Sequence, residues 1–276
     1  MQTVSLTWQH AGELSGALAL ASAGMRTVPQ RHVRMFAPFV FEAAIIGVLY
    51  AMWQLAGELS VMGTSGAMQR ARWIEHFDQR LPLPSEHTVN HLILGKPLLV
   101  QGANLYYDTM HFSMMFVFLI WLFWRHRDRY RPVRTILAWT TFFCLLIQLV
   151  PVAPPRMLPG FVDTAAAYGQ SVYANGLAAD QLSAMPSVHV AWAVIIGSYV
   201  WTISTSRFRW IGPAHMVITI LVVVATANHW WLDGIVATLV LVACAWGRYG
   251  VATGWHTLRA RRDVAPAATP EPVTYA

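Results

Sequence analysis

Residues 211–228 read IGPAHMVITILVVVATAN, residues 229–231 read HWW, and residues 232–249 read LDGIVATLVLVACAWGRY. The first and third blocks are apolar runs of 18 residues each, close to the roughly 20 that an α-helix needs to cross a bilayer. Between them lies a short polar step, Asn228-His229-Trp230-Trp231-Leu232-Asp233. Two crossings joined at one membrane face by ionisable residues form the unit from which the fold is read.

Four more runs of this kind lie upstream: Phe36 to about Ala56, about Thr109 to Trp124, about Thr135 to Val152, and Ser187 to about Ser204. The expected fold is an all-α membrane protein, a six-transmembrane-helix bundle over residues 36–249. Composition agrees with it. Hydrophobic residues make up 56 % and charged residues 12 %, about half the roughly 25 % charge of soluble domains. That is too little charge to coat a water-soluble globule and too much apolar surface for a disordered chain. The net charge of +6 does not point to nucleic acid, because the basic residues lie between apolar runs instead of on one basic face. All of them but Lys96 are arginine, a bias of GC-rich genomes. Cys144 and Cys244 sit within apolar runs and outline neither a disulfide framework nor a cysteine metal site.

Orientation follows from the arginines. With the N-terminus inside, fourteen of the nineteen basic residues face the cytoplasm, most densely in the short loop Arg125–Arg134. Only Arg70, Arg72, Arg80, Lys96 and Arg156 face out. Both termini are therefore expected in the cytoplasm, with residues 1–35 as an N-terminal arm and 250–276 as a tail, disordered from Val264. The apolar stretch Leu14–Met25 is short and its basic residues follow it, so it is not read as a cleavable signal. The outer loops are residues 57–108 and 153–186. Within the first, Met68–Phe77 reads as an interfacial helix presenting Trp73 and Phe77 to lipid.

This topology brings four ionisable residues to the outer face: Arg156 after the third span, His189 opening the fourth, His229 ending the fifth and Asp233 opening the sixth. Charge at membrane depth requires a partner or a purpose. His229 and Asp233 are four apart and share a face if helical. A carboxylate accepting the Nδ1 hydrogen of an imidazole leaves Nε2 free as nucleophile or base. His189 lies in Pro186-Ser187-Val188-His189, a helix start whose free N–H groups attract anions, with the Ser187 hydroxyl as a further donor. Arg156 can hold two phosphate oxygens in its planar fork. Together these residues suit a phosphoryl transfer that needs no metal: one histidine attacks phosphorus, and the other protonates the leaving oxygen. Taken singly, each residue also has an ordinary structural reading.

At these residues the sequence resembles the membrane-bound type 2 phosphatidic acid phosphatase (PAP2) superfamily, over roughly residues 100–245. The second family motif, Pro-Ser-x-His, stands at Pro186–His189, and the third, ending His-x-x-x-Asp, at His229–Asp233. The resemblance implies a six-helix bundle with an outer-face active site, His229 as the nucleophile forming a phosphohistidine, Asp233 orienting it, and His189 as the leaving-group acid. The chain departs from the family in two places. Leu149 and Met157 stand where the first motif has Lys and Pro around Arg156, and Val223 stands where the third has an Arg. Both departures, and the segment Asn104-Leu105-Tyr106-Tyr107-Asp108-Thr109-Met110-His111, look like the branch with inositol phosphorylceramide synthases and related bacterial proteins. That branch moves a phosphoryl-alcohol headgroup between lipids.

With fewer cationic ligands, a singly charged phosphodiester suits the site better than a monoester of about two charges. Tyr106, Tyr107 and His111 are candidate substrate contacts near the outer interface. Asp163 and Asp180 in the second outer loop either bind hydroxyls or solvate the loop. His215 reads as structural. The expected activity is a lipid phosphatase or phosphotransferase of a bacterial plasma membrane, leaning to headgroup transfer. No cofactor and no nucleic acid are expected, lipid and the bilayer are the partners, and the oligomeric state is open. The alternatives are a simple lipid-phosphate or polyprenyl-pyrophosphate phosphatase and, more remotely, a proton-coupled transporter with the His and Asp residues as a relay, for which Glu42 and His215 form no continuous polar ladder.

Overall fold

A computed structural model describes residues 7–62, 66–170 and 181–263, with backbone alone for 59–62 and 251–263. Asp180 and the tail from Val264 lie outside the described residues. The described chain is helical, with one isolated parallel bridge between Val152 and Ser183. Ten α-helices follow in order: α1 Trp8–Thr27, α2 Arg31–Met62, α3 Ala67–Asp78, α4 Glu86–Ile93, α5 Pro97–Arg125, α6 Arg127–Ile147, α7 Thr164–Ala167, α8 Val188–Ile203, α9 Ile211–Ala225 and α10 Trp231–Asp263.

Each of the six apolar runs overlaps a helix, and among the described residues four helical stretches are long and apolar enough to cross a membrane: Arg31–Glu58, Pro97–Arg125, Arg207–Ala225 and Trp231–Gly250. The other two fall short for different reasons. α6 opens on Arg127, Asp128, Arg129, Arg131 and Arg134. α8 is apolar but has 16 residues, about 24 Å at 1.5 Å per residue. Its start is capped by Ser187, whose Oγ accepts from Val190 N.

The bundle core is built from one face of four helices: Met115, Phe118 and Leu122 of α5, Val133, Ile136 and Leu137 of α6, Ile195 and Ile196 of α8, and Leu241 of α10. α8 and α9 pack closely because glycines leave room. A Cβ on Gly212 would lie 2.7 Å from Val200 Cβ, and one on Gly197 would lie 2.9 Å from Met216 Cβ. Outside the bundle, Leu98, Phe116, Leu239 and Trp246 are exposed, an apolar exterior suited to lipid. Glu42 of α2 pairs with Arg134 of α6 at 3.0 Å, so this acid ties two helices together.

α1 lies antiparallel along α2. Trp8 Nε1 donates to Glu58 at one end, and the Ser22 hydroxyl donates to Ala37 O toward the other. Ala11, Ser15 and Ser22 are buried in the seam.

A second, smaller core lies at the other end of α10, under the connections. Ala67, Ala71 and Ile74 of α3 meet Val152, Ala153, Leu158, Ala184 and Trp230. The opposite face of α3 carries the stacked pair Trp73 and Phe77, with Trp73 exposed. Trp230 is 1 % exposed, donates from Nε1 to Ala153 O at 3.0 Å and meets the edge of Phe161. Trp230→Ala is expected to cost about 3–5 kcal/mol, read as a lowered thermal midpoint in detergent. Trp230→Phe should recover most of that loss, since it forfeits mainly the hydrogen bond.

Candidate active site

Three separate segments are stitched together by backbone hydrogen bonds at the start of α8 and α10. Val152 N donates to Leu182 O at 2.7 Å, and Ala184 N donates to Val152 O at 3.2 Å. Ser187 N donates to Asp233 O at 3.2 Å, and Arg156 N donates to Ala227 O at 2.9 Å. Gln148 Nε2 donates to Pro186 O at 2.9 Å. The stretches around Arg156, His189 and His229 are thus held by main chain, and their side chains inherit that rigidity.

The α9–α10 connection sets His229. α9 ends at Ala225, and Ala227 takes a left-handed φ of 55°, which costs a non-glycine residue about 1–2 kcal/mol. That turn lets Asn228 N and His229 N both donate to Val223 O at 3.1 Å. His229 Nδ1 donates to Ala184 O at 2.8 Å and lies 3.3 Å from Asp233 Oδ2. Two acceptors on Nδ1 fix the hydrogen there, so Nε2 carries the lone pair. His229 Nε2 is buried and meets no hydrogen-bond partner among the described residues. Asp233 is wholly buried and its Oδ2 also accepts from Trp230 N at 2.8 Å.

His189 stands beside this group. Its ring centroid is 5.5 Å from that of His229, 4.0 Å from His111 and 4.4 Å from Tyr107, the last nearly parallel at 18°. Tyr107 and His111 are one helical turn apart on α5, and His111 Nδ1 donates back to Tyr107 O at 3.2 Å. Both therefore face α8. Tyr106, about 100° round the helix, does not. Its hydroxyl joins His215 Nδ1 at 2.6 Å and Thr219 Oγ1 at 3.0 Å. Of the residues expected at the site, Tyr106 is the one not brought to it; it ties α5 to α9, and His215 is its partner. Ser187 is fully buried and its hydroxyl oxygen serves as the α8 cap.

The Arg156 side chain is 6 % exposed and reaches the residue before His229. Its Nη1 donates to Asn228 Oδ1, and its Nε lies 3.7 Å from Asp163 Oδ2. Asp163 also caps α7 through Ala166 N. Val223, where the resembled family has an arginine, is buried against Val190 and Val224. Leu149, at the position of the missing lysine, is exposed. Arg156→Lys keeps the charge but loses the fork. It is expected to lower kcat/KM about 10²-fold, measured by steady-state turnover of a lipid phosphate donor.

Residues not foreseen also support the cluster. Asn228 holds Arg156 and donates to Thr226 Oγ1 at 2.8 Å. Asn90 of α4 donates to Val162 O and Ala225 O and accepts from Val162 N. Asn228 could have been suspected from its place beside His229; Asn90 carries no local signal.

The site brings together an imidazole whose Nε2 meets no hydrogen-bond partner among the described residues, a second imidazole 5.5 Å away between ring centroids, and a guanidinium bonded to the neighbouring Asn228. Residues 72–247 match the family model described as the PAP2 superfamily. No curated protein and no solved structure matches the chain.

Proposed function

The chain belongs to the PAP2 superfamily, whose members are membrane-associated phosphatases and phosphotransferases, and from that premise we propose a lipid phosphotransferase acting through a phosphohistidine on His229. The observation that carries this reading is the state of the His229 ring, with Nδ1 held by Ala184 O and Asp233 and Nε2 buried without a partner.

His229 Nε2 attacks phosphorus, the bond from phosphorus to the leaving lipid oxygen breaks, and His189 gives that oxygen its proton. An acceptor hydroxyl then attacks phosphorus, returns its proton to His189, and the P–N bond breaks. Arg156 lowers the cost of charge on the equatorial oxygens.

Charge supports a phosphodiester donor. The Arg156 guanidinium is already shared with Asn228 and faces Asp163, and the position of a second arginine is filled by buried Val223. A singly charged phosphate matches that field better than a monoester near two charges. The reading is therefore headgroup transfer of the inositol phosphorylceramide synthase type, on an outer-leaflet lipid in a six-span bundle. The excess of arginine on the opposite loops supports that orientation.

The test is a mass-spectrometric survey of lipid products. Purified protein is given lipid phosphomonoesters, pyrophosphates and phosphodiesters with alcohol acceptors, beside His229→Ala. A headgroup-exchanged lipid that disappears in the variant is the expected result. Free phosphate from a monoester or pyrophosphate would make the protein a hydrolase. No product dependent on His229 would overturn the reading.

A further inference from the structure

Three consecutive backbone N–H groups open α10, and each goes to a different carboxyl. Trp230 N donates to Asp233 Oδ2 at 2.8 Å, Trp231 N to Glu86 Oε1 at 3.3 Å, and Leu232 N to Asp78 Oδ2 at 3.1 Å. Asp78 ends α3 and Glu86 opens α4. All three carboxyls are buried, at 3 %, 2 % and 0 % exposure for Asp78, Glu86 and Asp233. A helix start attracts negative charge, but adjacent buried carboxylates cannot all stay ionised.

Burial first, then the hydrogen bond to Asp78 and the charge on it, push the Glu86 carboxyl up to about 8. At neutral pH Glu86 therefore holds a proton. Asp78 Oδ1 meets no N–H or hydroxyl donor among the described residues, which leaves it free to accept that proton. Asp78 on α3 is the neighbouring group that acts on Glu86. The other titratable groups of α4 face elsewhere, His87 toward Phe161 and His91 toward Gly160 O.

We propose that Asp78 and Glu86 are positioning residues for the reaction: a carboxyl pair sharing one proton clamps the first turn of α10 and so sets Asp233 against His229 Nδ1. The inference rests on the reading of His229 and Asp233 given above. The contact it protects is slack, 3.3 Å from Asp233 Oδ2 to His229 Nδ1, while the same oxygen is tied to Trp230 N. A small shift of that turn loosens the hold on the His229 tautomer. A second negative charge on the pair drives Asp78 and Glu86 apart and produces that shift.

The experiment measures kcat and KM through the neutral and alkaline range with full-length protein in detergent, beside His229→Ala. In the unmodified protein, kcat falls on the alkaline side with a midpoint near that of Glu86, about 8. Glu86→Gln, a neutral isostere that still donates to Asp78 and accepts from Trp231, keeps neutral-pH kcat within about threefold and loses that alkaline fall. Asp78→Asn and Glu86→Ala lower kcat about 10- to 100-fold with KM nearly unchanged. Glu86→Gln with the original alkaline fall, or Glu86→Ala with the original kcat, overturns the inference. Should Glu86→Ala fail to fold, the Gln profile decides alone. An active His229→Ala would instead sink the underlying phosphohistidine reading, so the two failures are distinct.

Discussion

Replacing His229, the proposed nucleophile, with alanine is expected to lower turnover by about 10⁴-fold or more and to leave no phosphorylated protein. The size follows from the role: loss of a nucleophile removes the covalent route, leaving only binding and electrostatic effects. A 10⁴-fold loss corresponds to about 5.5 kcal/mol of transition-state stabilisation, far more than one hydrogen bond supplies. The measurement uses a donor labelled at phosphorus, quenched during turnover. The label should stay on the protein through alkali and leave in acid, as a phosphoramidate does, and should be absent from the variant. The fold should survive, because the His229 side chain makes its bonds to Ala184 O and Asp233, whereas the packing of this region rests on Trp230 and its neighbours. Label on the protein in His229→Ala would place the nucleophile elsewhere.

His189→Ala gives the second large effect, and it depends on the leaving group. With a lipid alkoxide to expel, loss of the proton donor costs about 10²- to 10⁴-fold. With a nitrophenyl phosphodiester the leaving oxygen departs without a proton, so the first step proceeds. The second step still needs a base to take the acceptor's proton. The variant should therefore release a burst of about one nitrophenolate per protein and then slow, with label trapped on His229. The 5.5 Å between the two ring centroids, with Tyr107 stacked on His189 and His111 tilted against it, supports the proposed service of both oxygens by His189 in turn. Equal losses with both donors would remove His189 from proton transfer.

The residues legible in the sequence were those whose relation is local. His229 and Asp233 are one turn apart, and Ser187 caps a helix two residues before His189, so spacing alone brings each pair together. The long apolar runs declared their helices for the same reason. What stayed hidden depends on distance along the chain. Glu86 and Asp78 meet α10 across 145 and 154 residues, and within an outer connection they look like any solvated acids. Asp163 likewise gives no local hint that it faces Arg156. Tyr106 and Tyr107 differ by one position, and only the rotation of α5 decides which meets His189 and which meets His215. Two of the six apolar runs lie in helices set apart from the other four by opening charge or by length. α6 begins on arginine, and α8 has 16 residues from its Ser187 cap.

The family match starts at residue 72, after α1 and α2. Those two helices form a hairpin whose turn carries Arg26, Arg31 and Arg34. Because Trp8 reaches Glu58 and Ser22 reaches Ala37, α1 runs antiparallel along most of α2. Thr7 therefore lies toward the C-terminal end of α2, and the arginine turn lies at the opposite end of the hairpin. α1 is too polar to enter lipid by itself, with Glu13, Ser15 and Ser22 along it, yet both serines turn inward to carbonyl acceptors, Ser22 on α2 itself. The polar groups of α1 are thus satisfied within the hairpin, which packs as a two-helix unit ahead of the region that the family model matches.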